Sequence, residues 1–160
     1  GMLVVVSCSS PPPAEPRVPV MPRAVLIKGI DPLNVNEDGV SLPVNVRILS
    51  LTSLNKFDQA VRDFDSLWRN PRAAIGDEML GNPYNLVVFP SGANTDAQRR
   101  PLDPPLDPAT RFVAVLALFH TTAYPPNEIQ RFHVVAVQDL PRRIFVLSQG
   151  RVDIEILPYE

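Results

Sequence analysis

Nineteen of the 160 residues are proline, more than twice the ~5% background of ordinary proteins. Each interior proline removes a backbone donor and drives its ring into the preceding helical turn, so a chain punctuated this often cannot be mostly helix. It can still fold, because 45% of its residues are apolar against 20% charged, enough to bury a core. The 15 Lys and Arg against 17 Asp and Glu leave a formal charge of −2. That balance lacks the basic excess that phosphate backbones require and argues against a nucleic-acid binder. The longest apolar run, Phe112 to Phe119, is strand-sized and far short of the ~20 residues that span a bilayer as a helix.

The first residues read as a tether. Gly1 ahead of Met2 has the look of a cleavage scar. Leu3 to Val6 is a short apolar run ending in Ser7-Cys8-Ser9-Ser10, and Cys8 is the only cysteine, so it closes no disulfide within the chain. Residues 1–8 are expected to be the remnant of a signal peptide whose end carries the lipidated cysteine; an incidental cysteine in a frayed terminus is the alternative. Six prolines fall between Pro11 and Pro22. Residues 9–22 are therefore expected to form an extended spacer, at ~3.1 Å per residue roughly 40 Å long. The folded domain is expected over 23–160.

Within it, Ala24 to Ile30 reads as a strand, and Val44, Val46 and Ile48 alternate with Asn45 and Arg47 in a second, half-buried one ending at Leu51. Between them runs the polar loop Asp31 to Pro43, with Asp38-Gly39 as its turn. The period then changes. Phe57, Ala60, Val61, Phe64, Leu67 and Trp68 mark one apolar face of a helix, with Ser53 as its expected cap and Asn70-Pro71 as its stop. Weaker helical turns are expected over Ala73 to Leu80, broken by Gly81-Asn82-Pro83, so the helical insertion covers about 53–80. Further strands are expected at Tyr84–Phe89, Phe112–Phe119, Phe132–Val137, Ile144–Leu147 and Val152–Leu157. The last two form a hairpin around Gln149-Gly150, with Val152, Ile154 and Ile156 inward. Leu102–Pro108, broken by prolines, fits only an edge. Seven or eight short strands joined by Pro/Gly turns predict a mainly β, two-sheet sandwich with its helical insertion between the second and third strands.

Chemistry is thinly represented. His120 and His133, the only histidines, face each other across the Pro125-Pro126 turn in a hairpin reading, but no third ligand accompanies them. Asn34-Val35-Asn36-Glu37-Asp38-Gly39 has the start of a calcium loop, yet Asn45 stands where the bidentate Glu should be, and the turn reading is preferred. No nucleophile elbow, phosphate loop or dinucleotide fingerprint occurs. The sequence predicts neither an enzyme nor a metal or cofactor.

Leu33-Asn34, Asp38-Gly39 and Leu42-Pro43-Val44-Asn45-Val46-Arg47-Ile48, followed by Phe57, Phe64, Leu67, Ile75-Gly76-Asp77, Val88-Phe89-Pro90-Ser91-Gly92 and Phe112-Val113-Ala114-Val115 with Phe119, resemble the TssJ family. These are outer-membrane lipoproteins of the bacterial type VI secretion system. The resemblance runs from about Ala24 to Val137. It departs from the family where Arg131-Phe132 replaces a Trp-Arg pair, and in the truncated lipid signal. It implies a transthyretin-like sandwich in the periplasm, anchored by lipid at Cys8 in the inner leaflet of the outer membrane, with Ser9 suiting outer-membrane sorting. It also implies that the loop between the first two strands binds the periplasmic C-terminal domain of TssM, within a complex that also contains TssL. Carried onto this chain, the loop residues are Asp31, Leu33, Asn34, Val35, Asn36, Glu37, Asp38, Gly39, Val40 and Ser41. Leu33, Val35, Val40 and Leu42 are its candidate apolar anchors, Val35 and Val40 before the others, and Leu42 is expected to fold back on the sandwich. A stand-alone sandwich module that binds a small ligand or carbohydrate is the alternative from another class.

Overall fold

Turn residues and prolines cut the chain into strands, and the alternation of apolar residues decides which face of each strand turns inward. The computed structural model describes residue 1 and residues 20–91, 96–120 and 123–158. The strands are β1 (Ala24–Leu33), β2 (Val44–Leu51), β3 (Met79–Val88), β4 (Gln98–Pro101), β5 (Phe112–Leu118), β6 (Phe132–Ala136), β7 (Arg143–Gln149) and β8 (Arg151–Ile156). One sheet has the order β4-β1-β7-β8 and the other β3-β2-β5-β6. β1 runs parallel to β7, and the remaining neighbours are antiparallel. This is the transthyretin-like two-sheet sandwich, with the helical insertion between β2 and β3 as the sequence predicts.

Between the sheets, Val25 and Ile27 of β1 and Phe145 and Leu147 of β7 share a core with Val44, Val46 and Ile48 of β2 and Val113 and Val115 of β5. A second core lies on the outer face of the β2-containing sheet. There Leu49 and Leu51 of β2 and Ala114 and Leu116 of β5 pack under Phe57, Phe64, Leu67 and Ile75 of the insertion. Val113 to Ala117 are consequently all buried, as a strand covered on both faces should be. Arg47 fastens the insertion to the sheet: its guanidinium lies 4.7 Å from the centre of the Trp68 ring, donates to the Trp68 carbonyl and reaches Asn85 Oδ1 at 3.0 Å.

Several local expectations are corrected by side chains that compete for backbone groups. The single predicted helix is two, α1 (Asn55–Ala60) and α2 (Phe64–Arg69), joined by a 3-10 turn at Val61–Asp63. Asp63 causes the break by capping α2, accepting from the Ser66 amide at 3.3 Å and its hydroxyl at 2.7 Å. Those bonds hold the Asp63 carboxyl below its ordinary value of 3.8. The cap is therefore complete above the ordinary carboxylate range and is lost as pH falls through the lowered value. Leu54 rather than Ser53 occupies the N-cap position of α1, without a side-chain bond; Ser53 Oγ accepts from the Asn55 amide at 3.2 Å from one residue further out, and Glu78 accepts from the Lys56 amide at 2.9 Å. Asn70-Pro71 ends α2 but also opens α3 (Pro71–Ile75), with Asn70 Oδ1 accepting from Ala73 and Pro71 in the first turn.

β3 begins at Met79, so Gly81-Asn82-Pro83 is a register irregularity within a strand rather than its boundary. Arg72 supports that irregular stretch by donating to the Met79 and Gly81 carbonyls. The edge strand is β4, whereas Leu102 and Leu106, predicted to lie in an edge, plug the core at 4% and 3% exposure. Ile156, predicted to face inward, is 66% exposed at the end of β8.

Phe57 is fully buried and meets Phe132 edge-on, ring centres 5.5 Å apart. Phe57→Ala is expected to cost about 3–5 kcal/mol, measured as a lowered urea midpoint. A loss below about 1 kcal/mol would show that the insertion is not what covers β5.

Candidate functional site

β1 carries the chain from Arg23 at one pole of the sandwich to Leu33 at the other, about 30 Å at ~3.3 Å per residue. The segment between β1 and β2 therefore emerges at the pole opposite the start of the domain. Two of the predicted loop residues are buried and a third lies in a strand. Asp31 stands within β1. Leu33 is fully buried in the core, so it is no interface anchor; its amide donates to Ser41 Oγ at 3.0 Å. Asn34 is 5% exposed and adopts the left-handed conformation, φ 48°, which asparagine tolerates better than most residues.

Asn34 is the junction of this pole. Its amide donates to the Gln149 carbonyl at 2.9 Å, its Nδ2 donates to the Pro43 carbonyl at 3.1 Å, and its Oδ1 accepts from the His120 amide. The Asn34 side chain thus ties the start and end of the loop to the chain just beyond β5, and its backbone adds the tie to the β7–β8 turn. Tyr124 adds a second brace, its hydroxyl accepting from the Val35 amide at 3.2 Å. Its ring lies so close to Gly150 that a Cβ there would come within 2.9 Å of it, which is why that turn requires glycine.

Beyond these braces the loop folds on itself. Asn36 Oδ1 accepts from the Asp38 amide at 2.9 Å and the Val40 amide at 3.0 Å, while the Asn36 amide donates to the Val40 carbonyl at 2.9 Å. Gly39 turns the tip at φ 75°. These are the bonds of an Asx turn, and they engage the very oxygen that a calcium loop would need. Glu37, Asp38, Gly39 and Val40 are left exposed, Val40 at 55%, with Val35, Ser41 and Leu42 half-buried beneath them. Glu37 Oε1 lies 3.5 Å from His120 Nε2. The exposed side chains of Phe89 and Leu118 belong to the same pole. His133 pairs with Val115 well inside the sheet, while His120 stands beyond β5 beside the loop, so the strands do not bring the two rings face to face. Cys8 and most of the tether lie outside the described residues.

The arrangement is a short acidic and apolar tip, folded on itself by exposed hydrogen bonds and braced beneath by part-buried ones. The family model of the type VI secretion lipoproteins (VasD, EvfM, TssJ, VC_A0113) matches residues 24–149. The chain belongs to this family. Its fold is similar to that of the type VI lipoprotein TssJ1 from Pseudomonas aeruginosa, with TM-score 0.68 and 18% identity over 87% of this chain and 100% of that one. Lip from Serratia marcescens, a membrane bound component of the type VI secretion system, matches with TM-score 0.64 and 14% identity over 82% and 95% of the two chains. A chain of the structure described as the T6SS protein TssM C-terminal domain from EAEC matches with TM-score 0.59 and 20% identity over 86% and 98%. No curated protein matches in sequence. As a lipoprotein of this family, the protein is held by lipid at the outer membrane with its folded domain in the periplasm. Among the described residues, no helix is long and apolar enough to cross a membrane.

Tyr124 and His120 were not legible as loop supports. Tyr124 →Phe is expected to destabilise the fold by about 1 kcal/mol, the net worth of one hydrogen bond, and to speed hydrogen exchange at the Val35 amide. Unchanged exchange there would show that the brace does not order the loop.

Proposed function

We propose that this lipoprotein fixes the type VI secretion membrane complex to the outer membrane by binding the periplasmic C-terminal domain of TssM through the loop between β1 and β2. The complex in this reading also contains TssL. The observation that carries the proposal is the prefolded loop tip: the side chains of Glu37, Asp38 and Val40 stand exposed on a turn whose backbone is engaged by hydrogen bonds. A tip of fixed shape loses little conformational freedom on docking. The likeness to a chain in a structure described by the TssM C-terminal domain gives the partner its name.

In this division of labour Val40 is the central contact, flanked by Glu37, Asp38 and Gly39, with Val35, Asn36 and Ser41 forming the wall beneath. Leu33 and Asn34 hold the loop in place. Lipid on Cys8 and a Pro-rich tether over residues 9–22 put the anchor at the other end of β1, so membrane and partner pull along the strand axis. No step of chemical catalysis belongs to this role.

Removing the whole loop would strip Ser41 Oγ from the Leu33 amide, so a point change at the tip is the cleaner test. Val40→Asp is expected to weaken binding to the cognate TssM domain by at least about tenfold, about 1.4 kcal/mol, with an unchanged melting temperature, read by biolayer interferometry. Equal affinity in the variant would remove the loop from the interface. For the anchor, Cys8→Ser is expected to release the protein into the soluble periplasmic fraction; retention with the outer membrane would contradict lipidation at that residue.

A further inference from the structure

A separate surface opens on the flank of the sandwich, where the helical insertion meets the segment leading into β6. Val61 and Phe64 of the insertion form one wall, and Ile129 and Phe132 the other, of an open groove of about 480 Å³. That volume accommodates a few side chains and falls within the lower range of ligand-sized clefts. Arg131 lies within it, half-buried, with its guanidinium 5.3 Å from the centre of the Phe64 ring.

Arg131 differs from the other arginines packed against this fold. Arg47, Arg72 and Arg100 spend their guanidinium donors on backbone carbonyls, and Arg143 and Arg151 pair with Asp139 and Asp153. Among the described residues, the Arg131 side chain has the Phe64 ring and no carboxylate or carbonyl partner. A planar cation held on an aromatic face between apolar walls is suited to a carboxylate carried beside an apolar group. Neighbouring Gln130 does not compete for that role, because its Nε2 is already donated to the Phe132 carbonyl at 2.8 Å.

We propose that this groove is a docking site for an acidic, apolar segment of a protein partner, in which an Asp or Glu carboxylate meets Arg131 while an adjacent large apolar side chain fills the space between Phe64 and Ile129. Charge complementarity selects this occupant: a purely apolar segment would leave the guanidinium without an anion, and a basic one would be repelled by it. The proposal stands apart from the loop between β1 and β2 and does not depend on what that loop binds.

The test is an NMR titration of the full-length, nitrogen-15-labelled chain carrying Cys8→Ser. Acetyl-Leu-Asp-Phe-amide is compared with acetyl-Leu-Asn-Phe-amide, which differs only in lacking the charge. The acidic peptide is expected to shift the amides of Val61, Phe64, Ile129 and Phe132 and to bind at least about fivefold more tightly than its neutral counterpart. Arg131→Gln, checked for an unchanged melting temperature, is expected to abolish that difference, and Arg131→Lys to retain part of it. Equal binding of the two peptides, a difference that survives Arg131→Gln, or no shift at the groove would overturn the proposal. The same shifts on dilution without peptide would assign the groove to a second copy of the chain and overturn it equally.

Discussion

The β2-containing sheet is apolar on both faces, and everything outside the central core follows from that. Val113 to Ala117 of β5 are buried without a break, so alternate residues point into the sandwich and alternate residues point away from it. Ala114 and Leu116, with Leu49 and Leu51 of β2, would lie open to water without the insertion that brings Phe57, Phe64 and Leu67 down on them. The helices are thus the second cover of a sheet that needs two, and Arg47 bolts them on from the strand side through Trp68.

Placing the cover on one flank leaves the poles free. β1 is the mechanical link between them, flanked by β4 over its first residues and by parallel β7 along its length. In the proposed anchoring role, a load applied along β1 is taken up across the parallel β1–β7 ladder in shear. At the distal pole, Asn34 converts a strand end into a platform by joining the loop, β5 and the β7–β8 turn. Buried polar networks of this kind are favourable only when partners are present, and here both side-chain polar atoms of Asn34 and its amide have one.

How much of this was legible in the sequence divides along range. The alternation of Val44, Val46 and Ile48, the unbroken apolar run of β5 and the Phe57–Trp68 stripe each report a local period, and each lands where its period implies. The failures are contests that a period cannot see. Asp63 takes the Ser66 amide and splits a helix whose apolar face is continuous. Gly81-Asn82-Pro83 looks like a boundary but is tolerated in β3, where Arg72 takes up the carbonyls of Met79 and Gly81. In the loop, the Asp38-Gly39 turn and the exposure of Val40 were readable, whereas Leu33 and Asn34 were not. Their roles come from a shifted register against β7 and from Gln149 and His120, far along the chain. Tyr124 supports a residue 89 positions away, and nothing in its own Pro-rich neighbourhood signals that.

The central claim is that the membrane complex is gripped at the pole distal to the tether. Hydrogen–deuterium exchange of the intact protein, alone and saturated with the cognate TssM periplasmic domain, tests it most directly. The account predicts new protection confined to that pole and deepest over residues 35–41, with the helical insertion unchanged. Protection over the insertion or near Arg23 with none in the loop would contradict it.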